Sequence, residues 1–222
     1  MSQASFPAAE GRVVVDALVA TIEDHAELLS EIDGAIGDGD HGVNMRKGFL
    51  LVREEVPERT TLAAGLELIG ETLLARIGGA MGPLYGSFFM EMGEACEDQE
   101  RIDAATFAGM LAAGQAAVED LGEASVGDKT LLDTLVPAAA AFREAMDDGA
   151  DFSAALDAMA AAAEAGKEST RDLVARVGRA SRLGERSRGS LDAGATSCWL
   201  LLRAMATSMQ ALLQQAEEPT AT

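Results

Sequence analysis

Three carboxylates, a histidine and four glycines fall within the twelve residues Asp33-Gly34-Ala35-Ile36-Gly37-Asp38-Gly39-Asp40-His41-Gly42-Val43-Asn44. No helix interior would select that composition. Asp38 and Asp40 are two apart, which in extended backbone sends both side chains the same way, and the glycines permit turns and close backbone approach. Carboxylates held together repel unless a cation lies between them. Hard oxygen ligands from one or two segments, with the other positions left to water and phosphate oxygens, are what magnesium takes in phosphoryl-transfer sites.

The plainer reading is a polar interhelical loop with solvated aspartates. Against it, Asp33 follows an apolar helical segment, and a bare carboxylate at a helix C-terminus opposes the macrodipole. Something positive should offset it. A calcium EF-hand fails on spacing: counting from Asp38 puts Gly42 where a third ligand belongs and Phe49 where the bidentate glutamate belongs.

Two further loops could bind an anion. Gly78-Gly79-Ala80-Met81-Gly82-Pro83-Leu84-Tyr85-Gly86 offers backbone N–H groups before a helix start, where aligned peptide dipoles favour negative charge. An ordinary tight turn would use the same residues. Gly178 to Gly194 holds four of the chain's seventeen basic residues, Arg179, Arg182, Arg186 and Arg188. Arginine's planar, permanently charged fork suits phosphate oxygens and charge developing on a transferring phosphoryl group. Some of the four should instead pair with the acidic surface; Arg179 is the best ligand candidate. Lys129, in Gly127-Asp128-Lys129-Thr130, is a candidate phosphate neutraliser, although a lysine in a polar loop is usually solvated.

The elements that must position these loops are helices. Helical spacing of apolar residues runs from Val14 to Ile32, from Val43 to Val56 before Pro57, and from a Thr60 or Thr61 cap to Ile77. Asp40 is suited to cap the second. A fourth helix follows the glycine loop at Ser87-Phe88-Phe89-Met90, then come Asp103 to Glu119, Leu131 to Met146, Phe152 to about Arg176, and Ala195 to Leu213. His25, on the apolar stripe of the first helix, reads as a packed residue and is assigned no role. With no convincing strand signal, the expected fold class is all-α: a single-domain barrel or bundle of about eight antiparallel helices, residues 1–222, with frayed termini at 1–10 and 217–222. In an up-and-down array the starts of helices 2, 4 and 8 lie at one end. Asp33, Asp38, Asp40, Gly79, Ala80, Arg179 and Asp192 should therefore surround one mouth.

The whole chain bounds the partners. A formal net charge of −20 over 222 residues repels nucleic acid and anionic membrane alike, leaving small phosphates neutralised locally by metal. Cys96 and Cys198 lie far apart, without metal-ligand spacing, as in a reducing compartment, and both read as buried apolar residues. No leader or membrane-spanning run is evident, so a cytoplasmic location is expected. P-loop and kinase glycine-strand patterns are absent, which excludes those nucleotide folds.

The four motifs Ile36 to Met45, Gly78 to Gly86, Gly127 to Thr130, and Gly178-Arg179-Ala180-Ser181 through Asp192-Ala193-Gly194-Ala195-Thr196-Ser197 strongly resemble, in order and over nearly the full length, the L subunit of bacterial dihydroxyacetone kinase. The resemblance implies a barrel of eight antiparallel helices with ADP or ATP and two magnesium ions at one end. It implies that Asp33, Asp38 and Asp40 are the metal-binding aspartates, and that these three with Arg179 are the catalytic set. It places His41, Gly42, Val43, Asn44, Ala80, Met81, Gly122, Leu131, Arg179, Asp192, Ala193 and Gly194 on nucleotide-contacting positions. Two positions depart from the family: Met81 stands where serine is common, removing a hydroxyl contact to phosphate, and Ala193 where proline is common, loosening the turn into the last helix.

The resemblance further implies that this chain carries only the nucleotide, while a separate K subunit holds dihydroxyacetone or a similar short ketose. In one version of the cycle, bound ADP is recharged by a phosphohistidine protein of the phosphoenolpyruvate phosphotransferase system; in the other, ATP exchanges freely. Leu183-Gly184-Glu185-Arg186-Ser187 and the freestanding chain look more like the former. The alternatives are an ATP-exchanging ketose kinase subunit, a nucleotide-binding regulatory module that contacts a transcription factor, and a purely structural helical protein.

Overall fold

The computed structural model describes residues 4–122 and 124–217, and among them eight α-helices carry the architecture. They are α1 (Gly11–Ile36), α2 (His41–Glu55), α3 (Leu62–Arg76), α4 (Met81–Glu94), α5 (Ala104–Leu121), α6 (Leu132–Asp147), α7 (Phe152–Ser169) and α8 (Ala193–Glu217). Each helix packs on its sequence neighbours, and α8 returns to α1, closing a ring. The expected all-α architecture is what forms.

Local chemistry explains the boundaries. Thr61, Asp103 and Asp151 each accept an N–H three residues on, capping α3, α5 and α7. Helix α2 ends at Glu55 because Val56 is extended ahead of Pro57. Phe107, Phe142 and Phe152 meet in a cluster at one end of the core, with ring centroids 5.2–6.0 Å apart. In α6, Pro137 lacks an N–H to bond the Asp133 carbonyl. The backbone of α7 approaches there so closely that a Cβ on Gly166 would lie 2.3 Å from that oxygen.

The structure departs from the expected boundaries in four places. Helix α1 continues to Ile36, so Asp33 belongs to its last turn. Helix α4 begins at Met81, inside the glycine-rich loop, and α7 stops at Ser169 rather than near Arg176. Two short strands, β1 (Ser5–Pro7) and β2 (Arg101–Asp103), pair antiparallel with Phe6 opposite Ile102. Three-residue strands carry too little alternation to be read from sequence. Phe6 and Ile102 are fully buried, so the chain near Phe6 is pinned rather than frayed. Glu217 ends α8; residues 1–3 and 218–222 lie outside the described ones. No helix among the described residues is long and apolar enough to cross a membrane, and Cys96 and Cys198 are free and buried.

Candidate functional site

At one end of the ring, a cavity of about 1070 Å³ opens between the starts of α2, α4, α6 and α8. Three of these N-termini are expected from the glycine loops. The fourth, at Leu131 and Leu132, has no glycine signature ahead of it beyond Gly127, and sequence pattern alone missed it. Each contributes first-turn N–H groups that no intrahelical carbonyl can satisfy, so the mouth carries positive backbone potential. One wall is apolar, formed by Met81, Pro83, Leu84, Val118, Leu121 and Leu131. Of these, Met81 and Leu131 are expected nucleotide positions, whereas Val118 reads in sequence as an ordinary core position of its helix.

Carboxylate oxygens of Asp33, Asp38 and Asp40 lie within 4.8 Å of one another. The convergence has a different origin from the extended run expected. Gly39 takes φ +75, a left-handed conformation that reverses the chain between the two outer aspartates, and Asp40 is helical in φ and ψ. Gly37 leaves room for the Asp33 carboxylate, since a Cβ there would lie 2.3 Å from it and displace it. Asp40 occupies the N-cap position of α2 but makes no side-chain cap; its carboxylate pairs with Arg179 instead, at 3.4 Å.

The electrostatics call for a cation. Burial raises the Asp33 carboxyl above its ordinary value, the charges of Asp38 and Asp40 push it further, and the N–H groups of His41 and Gly39 oppose the shift. The His41 N–H donates to Asp33 Oδ2 at 3.3 Å. Desolvation acts against ionised Asp38, but its hydrogen bond and ion pair with Arg179 together outweigh it and hold the carboxyl below its ordinary value. Thus Arg179, the arginine favoured from sequence, supplies positive charge to the aspartate cluster. Three hard carboxylates converging on one point, with a guanidinium drawn to them, fit a divalent cation such as magnesium.

Most of the expected nucleotide positions line this cavity: His41, Asn44, Ala80, Met81, Gly122, Leu131, Arg179, Asp192, Ala193 and Gly194, together with Asp33 and Asp40. Three expected residues do not. Asp38 belongs to the carboxylate cluster at its rim. Gly42 packs against α1, where a Cβ would lie 1.8 Å from the Ala26 carbonyl oxygen, so it serves the helix crossing. The exposed Val43 side chain borders a separate groove beside α1.

His41 is buried, and its Nε2 lies 2.9 Å from Ser197 Oγ. Burial pulls its pKa down to about 4, so it is a neutral strut at pH 7 and not a phosphate-neutralising cation. Ser197 Oγ is also 2.7 Å from the Tyr85 hydroxyl, which donates to the Gly194 carbonyl at 3.0 Å. This network joins α2, α4 and α8 beneath the mouth. Tyr85 and Ser197 were absent from the expected set because their partners are distant in sequence. Asp192 caps α8 by accepting the Ala195 N–H at 2.7 Å, and burial raises its carboxyl to about 6. Lys129 is neither solvated nor free to meet phosphate: its ammonium donates to three backbone carbonyls.

Comparison with known proteins places this geometry. The DAK2 domain matches residues 35–207. The chain belongs to the DAK2 domain family. It is 40% identical over 208 residues to the ADP-binding subunit DhaL of PEP-dependent dihydroxyacetone kinase 2 from Listeria innocua, covering 90% of this chain and 94% of that protein. It is 38% identical over 183 residues to the ADP-binding subunit DhaL of the PEP-dependent dihydroxyacetone kinase from Escherichia coli, covering 82% and 87%. The crystal structure of the dihydroxyacetone kinase of C. freundii superposes with a TM-score of 0.67 at 27% identity, covering 94% of this chain and 36% of that one. The same enzyme in complex with AMP-PNP and Mg2+ gives a TM-score of 0.63. The barrel expected from sequence is therefore the fold of a DAK2 domain.

Proposed function

We propose that this chain is a single nucleotide-binding domain, the ADP- or ATP-binding phosphotransferase subunit of a dihydroxyacetone kinase. The observation that carries the reading is the convergence of Asp33, Asp38 and Asp40, with Arg179 upon them, at a mouth formed by four helix N-termini. A diphosphate meets both kinds of positive potential there, and the apolar wall around Met81, Leu84 and Leu131 suits a base. The names of the relatives, ADP-binding subunits and an AMP-PNP and Mg2+ complex, support the same ligands.

Asp33, Asp38 and Asp40 would hold magnesium, two ions in this proposal. When bound, magnesium supplies charge neutralisation of the phosphate oxygens and of the charge that develops during transfer. The chain's own residues do the rest. Backbone N–H groups at the starts of α4 and α8, including Ala80, Met81, Ala193 and Gly194, orient the phosphates, and Asn44 lines the same cavity from α2. Arg179 stabilises the transferring phosphoryl group, and neutral His41 fixes the start of α2 without competing for phosphate. Gly122 and Leu131 bound the base. Catalysis of this kind is positioning plus electrostatics, with no covalent work for the protein.

The acceptor hydroxyl comes from dihydroxyacetone or a similar short ketose on a separate K subunit, and a phosphohistidine protein recharges the bound ADP. The freely exchanging ATP cycle and a regulatory module without transfer are the competing readings. Purified protein should carry ADP through dialysis, and phosphoryl transfer to ketose should require the K subunit and fall by about 10²-fold or more in Asp38→Asn. Nucleotide lost on dialysis with full activity on added ATP would favour the exchanging cycle. Magnesium-independent nucleotide binding would overturn the assignment of the aspartates.

A further inference from the structure

Between α7 and α8 the chain leaves the barrel at Thr170, carries Arg179 and Arg182 to the mouth, and returns at Asp192. Lys129, just ahead of α6, lies in the neck of this loop. Its Nζ donates to the Thr170 carbonyl at 2.7 Å and the Leu173 carbonyl at 3.3 Å on the outgoing strand of the loop, and to the Ser190 carbonyl at 2.6 Å on the returning one. An ammonium has three protons, and all three are used across the neck. Only 2% of the residue is exposed. A buried charge is tolerated when its donors are fully satisfied, and removing it strands the carbonyls that it served.

The backbone around Lys129 is built to present it. Lys129 has φ +65, the one positive φ at a non-glycine residue among the described ones. That conformation is held by Asp133, whose two carboxylate oxygens accept the Gly127 N–H at 2.6 Å and the Thr130 N–H at 2.7 Å. A strained residue fixed by a buried carboxylate, with its charge spent on another segment's carbonyls, points to a purpose in that segment. The purpose available is the placement of Arg179, which the loop delivers to Asp38 and Asp40.

We propose that Lys129 is a positioning residue whose ammonium closes the neck of the Thr170 to Asp192 loop and so sets Arg179 over the aspartate cluster. Its effect on nucleotide binding rests on the function proposed above; its effect on the loop does not. Lys129→Met keeps the length and removes the charge. Lys129→Gly removes the charge while favouring the left-handed backbone, and so keeps the test open should the methionine variant fold poorly. Lys129→Cys treated with 2-bromoethylamine restores an ammonium at the same reach. Aminoethylation is carried out on the unfolded chain before refolding, in a Cys96→Ala, Cys198→Ala background, because position 129 is as buried as the native cysteines, 2% exposed against 1% and 3%.

Hydrogen exchange of the ligand-free variants should show amides from Thr170 to Asp192 exchanging about tenfold faster or more, with α1 to α5 unchanged. Mg-ADP affinity should fall in the same variants, and aminoethylation should restore both properties. Unchanged loop exchange in Lys129→Met and Lys129→Gly overturns the proposal, as does acceleration that rises equally across the helices or that restored charge does not reverse. Should the wild-type protein fail to bind ADP while the variants loosen the loop, the functional reading falls and the positioning role stands.

Discussion

The Arg179 guanidinium pairs with Asp38 and reaches Asp40 at 3.4 Å, so a residue from the loop before α8 neutralises two of the three carboxylates delivered by the turn between α1 and α2. The two segments are far apart in sequence. Magnesium entering the cluster must compete with Arg179 or redirect it toward phosphate.

That competition gives the first prediction. In Arg179→Ala the ligand-free aspartates keep their mutual repulsion without a counter-charge, so magnesium added without nucleotide should bind several-fold more tightly, on the order of 3–10-fold. Phosphoryl transfer should fall nonetheless, by about 10²-fold or more, because the charge on the phosphoryl group loses its partner. Manganese binding followed by spin resonance, beside a transfer assay with the K subunit, separates the two. Weaker metal binding in the variant would show that Arg179 supports the ion site rather than competing for it.

Among the described residues, Ser197 is the one whose hydroxyl meets both His41 Nε2 and the Tyr85 hydroxyl, at 2.9 and 2.7 Å. Ser197→Ala leaves the buried His41 ring nitrogen without that partner, a loss of about 1–3 kcal/mol in unfolding free energy. Tyr85→Phe should cost less, about 0.5–1.5 kcal/mol, because Ser197 Oγ can still donate to the Gly194 carbonyl at 3.1 Å. Denaturant titration of the two variants and the double variant measures the coupling. Strictly additive losses would mean that the three helix starts are not held by one network.

Met81 opens α4, is partly buried, and lines the cavity. Met81→Ser adds a hydroxyl at the first helical position, where the family commonly has one, and should tighten ADP binding by roughly 3–10-fold, the worth of one hydrogen bond. Calorimetric titration checks it, and unchanged affinity would leave the backbone N–H groups sufficient.

Phe6 tests the part of the fold that the sequence concealed. Its ring is fully buried, stacks 6.5 Å from Phe152, and sits on a strand paired through Ile102. Phe6→Ala should cost about 3–5 kcal/mol, the usual loss for a buried phenylalanine, and a small effect on the unfolding midpoint would contradict the pinned N-terminus.

The helices were legible because each long amphipathic run repeats its apolar face, and the aspartate loop was legible because three carboxylates in so short a turn serve no packing role, even though its glycines do. Hidden features depended on contacts distant in sequence. Phe6 has too short a strand for alternation to register, Lys129 looks like any loop lysine until the carbonyls of Thr170 and Ser190 surround it, and Ser197 resembles a helix-interior serine until His41 and Tyr85 converge on it. Asp40 misled for a related reason: the N-cap position was correct, but a guanidinium arriving from the far end of the chain outcompetes a cap.

Asp192 yields a prediction in pH. Burial raises its carboxyl to about 6 from an ordinary 3.8, and the nearby charges of Asp133 and Asp33 add to the rise, against the Ala195 N–H and Lys129. The unfolded chain releases this proton near 3.8 and the native protein only near 6, so the native state binds more protons in between. The contribution of Asp192 to stability is therefore complete below pH 3.8 and is lost as pH rises through 6. Asp192→Asn retains an oxygen for the Ala195 N–H but does not titrate. Wild-type stability relative to this variant should decline by roughly 1–3 kcal/mol between pH 4 and 6.5 and then level off. His41 has the opposite sign, since its depressed pKa costs stability as pH falls from 6.5 through 4, but it is common to both proteins and cancels in the difference. Urea unfolding of the nucleotide-free pair across that range decides the matter: parallel curves would mean that Asp192 ionises in the fold as it does in water.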